Sequence, residues 1–137
     1  MSYLLDTSVL SASSKKRPPA HLLHWMAQHE EESFVSVVSL AELKFGLDTS
    51  LNPEFRATLE EWLAELRQHF AHAILGINEP VLVEWKQLLA DLKGRQRTIS
   101  CEDSLIAATA LQHRLRIVTT NPRDFEPCGV ETVALRY

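Results

Sequence analysis

The chain has 137 residues, of which 45% are hydrophobic and 23% are charged, and its formal net charge is −4 at pH 7. This length and composition predict one globular domain over residues 1–137, with a core that needs no disulfide. No apolar run approaches the roughly 20 residues that cross a bilayer, and the N-terminus lacks the basic region of a secretory signal. We therefore expect a cytoplasmic protein with no membrane span, in which Cys101 and Cys128 are free thiols.

The acidic balance argues against a broad basic face for binding nucleic acid. Two short basic runs soften this argument, one at residues 15–17 and one formed by Lys93, Arg95 and Arg97. Each run could contact phosphates, or it could be a solvated loop. Charge alone leaves both interpretations open.

The expected strands begin at the N-terminus. Tyr3–Leu5 is a short apolar run that ends at Asp6. A β-branched and aromatic run predicts a second strand at Phe34–Val38. Three later runs also have the composition of strands, namely Ala73–Ile77, Arg116–Thr119 and Val130–Leu135.

Helical patterns separate these strands. Pro18 and Pro19 could introduce a first amphipathic helix, and Asn52-Pro53 and Asn78-Glu79-Pro80 are typical caps of two longer ones. Residues 100–113 are apolar nearly all round, which predicts a buried helix. Strands that alternate with helices predict a mostly parallel sheet covered by helices on both faces.

Four acids stand where an apolar run gives way to a helix or a turn: Asp6, Glu42, Asp103 and Asp124. Ligands of a parallel sheet collect outside the carboxyl ends of its strands, so acids at successive junctions can converge. Closely packed carboxylates repel one another, and their hard oxygen atoms favour Mg²⁺ or Mn²⁺ as the compensating cation. The pattern therefore predicts a carboxylate cluster for metal-assisted phosphodiester hydrolysis.

Each acid also has a purely structural interpretation. Asp6 could be an N-cap, and the sequences from Ser39 to Glu42 and from Ser100 to Asp103 resemble capping boxes. Asn121-Pro122-Arg123-Asp124 fits an Asx-type turn. An acid at every one of these junctions nevertheless favours a shared site over four independent caps.

Four motifs in order carry a resemblance to a known family. They are Leu4–Ser8, Val38–Leu43, Asp103–Ala110 and Val118–Phe125. Together they resemble the PIN domain over essentially the whole chain. The size and layout are most similar to VapC-type ribonuclease toxins of bacterial toxin–antitoxin pairs.

This resemblance implies a three-layer α/β/α sandwich with an acidic site. Asp6 and Asp103 match the direct metal ligands of the family, and Glu42 matches the acid that holds metal-bound water or a second ion. Two hydroxyls that line the site are matched by Thr7 and Thr119. The resemblance leaves open whether the fourth position is filled by Asp124 or by Asn121, which stands where relatives often have an acid.

The resemblance also implies partners and products. The cofactor would be Mg²⁺, with Mn²⁺ as a substitute, and the substrate would be RNA, cleaved to leave a 5′-phosphate and a 3′-hydroxyl. Proteins usually recognise RNA at loops or single strands, so a structured loop such as that of a tRNA is the expected target. A homodimer and a cognate VapB-type antitoxin are further implications.

Other classes of protein fit less well. The four glycines are dispersed, which argues against a phosphate-binding loop, and Ser8 stands where a haloacid-dehalogenase-like phosphatase needs an Asp. The histidine pairs at 21/24 and 69/72 have no nearby cysteines and are not expected to bind zinc. The main alternative is a non-catalytic PIN-like subunit that binds RNA or protein. The carboxylates at positions 6, 42 and 103 argue against it, because close acids destabilise a fold unless a cation compensates.

Overall fold

The structure is a computed structural model that describes residues 1–48 and 52–136. Within these residues, five strands form one sheet in the order β3-β2-β1-β4-β5, and every neighbouring pair is parallel. The strands are β1 (Tyr3–Leu5), β2 (Ser33–Ser36), β3 (Ile74–Leu75), β4 (Arg116–Thr119) and β5 (Thr132–Ala134). The predicted parallel sheet is therefore confirmed, with β1 at its centre.

Helices connect the strands. In the part of the chain that the structure describes, the six α-helices are α1 (Thr7–Ser13), α2 (Ala20–Gln28), α3 (Val37–Asp48), α4 (Pro53–His69), α5 (Glu79–Gly94) and α6 (Cys101–His113). Short 3₁₀ helices occupy Glu30–Glu32 and Pro122–Cys128. The Asn52 side chain caps α4 and the Asn78 side chain caps α5, as their sequences predict.

The second strand is shorter than predicted. It ends at Ser36, and Val37 and Val38 form the first turn of α3 instead of continuing the strand. The Ser36 hydroxyl accepts a hydrogen bond from the Val38 backbone N–H at 3.0 Å, in the manner of an N-cap. The capping box predicted from Ser39 to Glu42 is therefore wrong, because Ser39 lies inside the helix. The predictions for β3 and β5 also extended beyond the observed strands.

Two apolar clusters cover the two faces of the sheet. Leu5 and Val118 pack with residues of α1 to α4, while Leu4 and Ile117 pack with residues of α5 and α6. Successive strand residues thus point to opposite faces, as the strand geometry requires. The result is a three-layer α/β/α sandwich, as the sequence predicted. Residues 106–110 of α6 are buried, which confirms the prediction of a buried helix.

Two further predictions can be compared with the described residues. Both cysteines are free thiols, and Cys101 is exposed whereas Cys128 is buried. Burial raises the pKa of the Cys128 thiol to about 11, so it stays protonated at neutral pH. None of the helices in the described ranges is long and apolar enough to cross a membrane.

Candidate active site

The candidate site lies at the carboxyl end of the sheet, where three central strands end. Asp6 follows β1, α3 follows β2, and Thr119 is the last residue of β4. Because these strands are parallel and adjacent, their ends lie at one edge of the sheet. Helix α1 contacts both α3 and β4, and α3 contacts α6, so four elements meet at this edge.

Asp6 is the most enclosed acid of the site. Its side chain is only 5% exposed and caps α1, with Oδ1 accepting a hydrogen bond from the Thr7 backbone N–H at 2.8 Å. The Oδ2 atom accepts hydrogen bonds from the hydroxyls of Ser8 and Thr119, both at 2.8 Å. Burial raises the pKa of Asp6, while these hydrogen bonds lower it. The carboxylate is therefore fixed in place by three donors.

Ser8 extends this network to the loop after β4. Its hydroxyl lies 3.3 Å from the Thr119 hydroxyl and accepts a hydrogen bond from the Thr120 N–H at 3.1 Å. The Thr119 hydroxyl in turn accepts from the Asn121 N–H at 3.0 Å. Sequence reasoning did not assign Ser8 to the site. Its position two residues after Asp6, in the first turn of α1, was the available signal.

Glu42 reaches the site from α3. Its Oε1 atom accepts a hydrogen bond from the Thr7 hydroxyl at 2.7 Å, and that hydroxyl lies 2.8 Å from the hydroxyl of Ser39. Burial raises the pKa of Glu42, the bond from Thr7 opposes the rise, and the negative charges of Glu102 and Asp6 add to it. Glu42 thus faces α1 and the other acids, and Ser39 is a second side chain that sequence reasoning assigned to a different role.

Asp103 lies in the first turn of α6, where Ser100 is the N-cap and accepts a hydrogen bond from the Asp103 N–H at 3.1 Å. Burial raises the pKa of Asp103 from 3.8 to about 6, and the charges of Asp6, Asp124 and Glu42 contribute to the rise. Asp103 therefore interacts electrostatically with each of the other three acids. The charges of the four predicted acids thus act on one another at this end of the sheet, and their grouping into one metal site stays a prediction.

Next to Asp103, a buried serine joins two helices. The Ser104 hydroxyl accepts a hydrogen bond from the Trp85 indole N–H at 2.8 Å and donates to the Cys101 carbonyl at 2.6 Å. Trp85 belongs to α5, so this contact fixes the first turn of α6 against its neighbour. Trp85 and Ser104 are 19 positions apart, and the helical pattern around each residue gives no indication of this contact.

Asp124 lies on the more open side of the site. It is exposed, and its Oδ1 atom accepts a hydrogen bond from the Asn121 side-chain amide at 3.1 Å. The far end of the Pro122–Cys128 segment is held by Arg95, which donates to the Pro127 carbonyl at 2.5 Å and to Asp91 at 2.6 Å. The Arg95 guanidinium is thus engaged within the protein, which argues against the suggested phosphate contact.

The donor set fits a divalent cation held in an open site. Among the described residues, no three His, Cys, Asp or Glu side chains form a closed set of metal ligands. Mg²⁺ does not need such a set, because it is commonly held by one or two carboxylates and completes its shell with water and substrate phosphate. Asp6 and Asp103 could provide those two carboxylates, and a bound cation would offset the negative charges that add to the effect of burial on the pKa of Asp103.

Sequence comparisons identify the relatives of the chain. The PIN domain family model matches residues 3–127. Toxin FitB of Neisseria gonorrhoeae is 32% identical over 124 residues, which is 89% of each chain. VapC ribonuclease Y4jK of Sinorhizobium fredii is 30% identical over 132 residues, covering 95% of this chain and 94% of the relative.

Comparison with solved structures finds the same kind of relatives. The structure of FitAcB from Neisseria gonorrhoeae superposes with a TM-score of 0.87 at 31% identity, covering 95% of both chains. VapBC2 from Rickettsia felis, bound to a DNA fragment from their promoter, has a TM-score of 0.85 at 20% identity, with coverage of 98% and 99%. The latter likeness concerns the fold alone. The family match, the identities and the shared fold together show that this chain belongs to the PIN domain family.

Proposed function

We propose that this protein is a metal-dependent endoribonuclease and the toxin of a toxin–antitoxin pair. The observation that carries the proposal is the convergence of Asp6, Glu42 and Asp103, each with a raised pKa, at the carboxyl end of the sheet. A protein gains no stability from grouping carboxylates in this way, so the arrangement favours a function that uses them. Relatives named as ribonucleases and toxins support the same activity.

The acids have different tasks in this proposal. Asp6 and Asp103 hold Mg²⁺ or Mn²⁺, and Asp6 is the more rigid of the two because three donors fix its oxygen atoms. A bound divalent cation lowers the pKa of water and neutralises the charge that develops on the phosphate. Glu42 orients the attacking water and accepts its proton at Oε2, since Oε1 is already engaged by Thr7.

The remaining polar groups orient these acids and line the substrate path. Thr119 fixes Asp6, and Asn121 holds Asp124 through its side-chain amide. This contact supports Asp124, with Asn121 as its holder, as the fourth acidic position. Asp124 lies at the open side, where an RNA backbone can approach, and it adds negative charge that attracts the cation.

RNA is the proposed substrate, with a 5′-phosphate and a 3′-hydroxyl as the product ends and a structured loop, such as that of a tRNA, as the target. The proposed partners are a second copy of the chain and a cognate antitoxin in the cytoplasm. The relative named Toxin FitB and the solved FitAcB structure support the antitoxin, because a toxin of this kind is expected to have a cognate antitoxin.

Cleavage of total bacterial RNA by the purified, partner-free protein tests the proposal. We expect discrete cuts with Mg²⁺ or Mn²⁺ and none with EDTA. The Asp103→Asn protein, purified in the same way, is the control for contaminating nucleases and should be inactive. Binding of RNA without cleavage under any metal would contradict the proposal and favour the non-catalytic PIN-like subunit.

A further inference from the structure

Ser39 is a buried side chain beside the candidate site that neither the acid cluster nor the apolar core explains. It has no exposed surface and lies three positions before Glu42 on α3, so both side chains lie on the same side of that helix. The Ser39 hydroxyl contacts Thr7, the first residue of α1. A polar contact of this kind joins the two helices at the edge where the acids meet.

Two other hydroxyls within the described helices behave differently. The side chains of Ser13 and Thr109 each donate to a backbone carbonyl three or four positions earlier in the chain. Such a bond satisfies the hydroxyl within its own helix. Ser39 instead turns its hydroxyl to a side chain on another helix, and that side chain contacts Glu42.

The number of hydroxyl protons determines the direction of hydrogen bonding among Ser39, Thr7 and Glu42. Thr7 Oγ1 lies 2.7 Å from Glu42 Oε1 and 2.8 Å from Ser39 Oγ, yet the Thr7 hydroxyl has only one proton. A charged carboxylate is the stronger acceptor, so this proton goes to Glu42. The second short contact then requires the proton of Ser39. The chain of donation runs from Ser39 to Thr7 and from Thr7 to Glu42.

We propose that Ser39 is a positioning residue for Glu42, acting through the hydroxyl of Thr7. The inference rests on the proposed nuclease function, in which Glu42 acts on the attacking water. By donating to Thr7, Ser39 fixes the orientation of the Thr7 hydroxyl and strengthens its bond to the carboxylate. Glu42 then holds one of its oxygen atoms still and presents the other to the water.

Kinetics of four variants test this relay on a fluorogenic RNA oligonucleotide that contains a cut site mapped in total RNA. We expect Ser39→Ala to lower kcat about tenfold, the scale of one lost hydrogen bond, with KM within about twofold of wild type. Thr7→Val should lower kcat at least as much, whereas Thr7→Ser retains the hydroxyl and should restore it. Adding Ser39→Ala to Thr7→Val should cause no further loss, because Ser39 acts only through Thr7.

Ser33 provides the matched control. It is a buried serine at the other end of β2, and its hydroxyl donates to the His29 carbonyl at 2.7 Å. Ser33→Ala should lower the Tm to an extent similar to Ser39→Ala and leave kcat unchanged. An unchanged kcat in Ser39→Ala, or a further loss of kcat when Ser39→Ala is added to Thr7→Val, would overturn the proposal while leaving the proposed nuclease intact.

A second measurement needs no cleavage and separates the two proposals. In the metal-free protein, the loss of Tm caused by Ser39→Ala should be smaller in the Glu42→Gln background, because the relay then ends on a neutral group. Equal losses in both backgrounds would overturn the relay whether or not the protein cuts RNA. If wild type cuts no RNA but the losses differ, the relay stands as a structural contact and the proposed nuclease function fails.

Discussion

The two sides of the acidic site are built in opposite ways. On the side of β1 and β4, Asp6 is buried and accepts hydrogen bonds from a backbone N–H and two hydroxyls. On the side of the Pro122–Cys128 segment, Asp124 is exposed and is contacted by the amide of Asn121. An acid that follows a central strand is thus enclosed and held by three donors, whereas an exposed acid on a 3₁₀ helix is held by one side-chain amide.

This difference predicts an order of importance among the four carboxylates. The rigid acids should determine whether the site works at all, because a cation and a scissile phosphate must be held in one geometry. The exposed acid, Asp124, should change the rate of RNA cleavage without being essential for it. Four predictions follow this order, from the buried side to the open side and then to stability.

The largest expected effect is that of Asp6→Asn. The substitution removes a negative charge from the most enclosed position and leaves the side chain nearly the same size. We expect RNA cleavage to fall by at least about a thousandfold. Cleavage is measured with saturating Mg²⁺, with circular dichroism to confirm that the variant is folded. Activity within about tenfold of wild type would contradict the greater importance of the buried side, because Asp6 would then be only a helix cap.

Glu42→Gln should have the next largest effect. The amide keeps an oxygen that can accept the Thr7 hydroxyl but cannot accept a proton from water. We expect kcat to fall by about a hundredfold with little change in KM for RNA. A parallel fall in RNA affinity would instead indicate that Glu42 shapes the binding surface.

Asp124→Asn should cost about tenfold in cleavage rate, because an exposed charge is screened by solvent and is held by one amide. The measurement is the initial rate over a range of Mg²⁺ concentrations, and we expect higher Mg²⁺ to recover part of the loss. Asp6→Asn measured in the same titration is the control, which should not recover. A loss as large as that of Asp6→Asn would show that the open side is as constrained as the buried side.

The smallest effect concerns stability against pH. The pKa of Asp103 is about 6 in the folded protein and 3.8 as the ordinary value, so between about pH 4 and 6 the folded state binds a proton that the unfolded state releases. Stability in EDTA should therefore fall as the pH rises through this window. We expect the Tm at pH 5 to exceed that at pH 7 by about 3 °C.

The Asp103→Asn protein is the control for this measurement and should have a flatter profile over the same range. Mg²⁺ should stabilise wild type more at pH 7 than at pH 5, because protons and the cation compete for the same oxygen atoms. A Tm in EDTA that rises from pH 5 to pH 7 equally in both proteins would contradict the assignment to Asp103.

Much of the fold could be predicted from local pattern. The parallel sheet, the caps at Asn52 and Asn78, and the buried helix at 101–113 follow from periodicity and from side chains that act on their own neighbourhood. The end of β2 could not be predicted in this way. Val37 and Val38 continue a β-branched run, but the Ser36 hydroxyl starts a helix there, and packing of α3 overrides their preference for a strand.

The positions of Asp6, Asp103 and Asp124 could likewise be predicted, because each stands at the start of a helix. Glu42 differs from the prediction, because α3 begins at Val37 and Glu42 lies in its second turn, beyond the junction.

The groups that support the acids could not be predicted. Ser39 and Ser104 take their roles from partners on other elements, at separations that carry no periodic signal. Ser8 offered only its position two residues after Asp6 as a signal. A buried hydroxyl can satisfy its own helix or reach another one, and only the packing of the helices decides between these two states.

The hydroxyls around Asp6 have a consequence for how such a site can be controlled. Together with the Thr7 backbone N–H, they hold the carboxylate in one orientation in the folded protein, so that it is preorganised for a cation or RNA. Turning Asp6 away would break three hydrogen bonds, each worth about 1 kcal/mol and more in a buried setting. Inactivating the protein by rotating Asp6 out of the site would therefore cost several hydrogen bonds. Inhibition by a second protein that covers the folded site would leave these bonds intact.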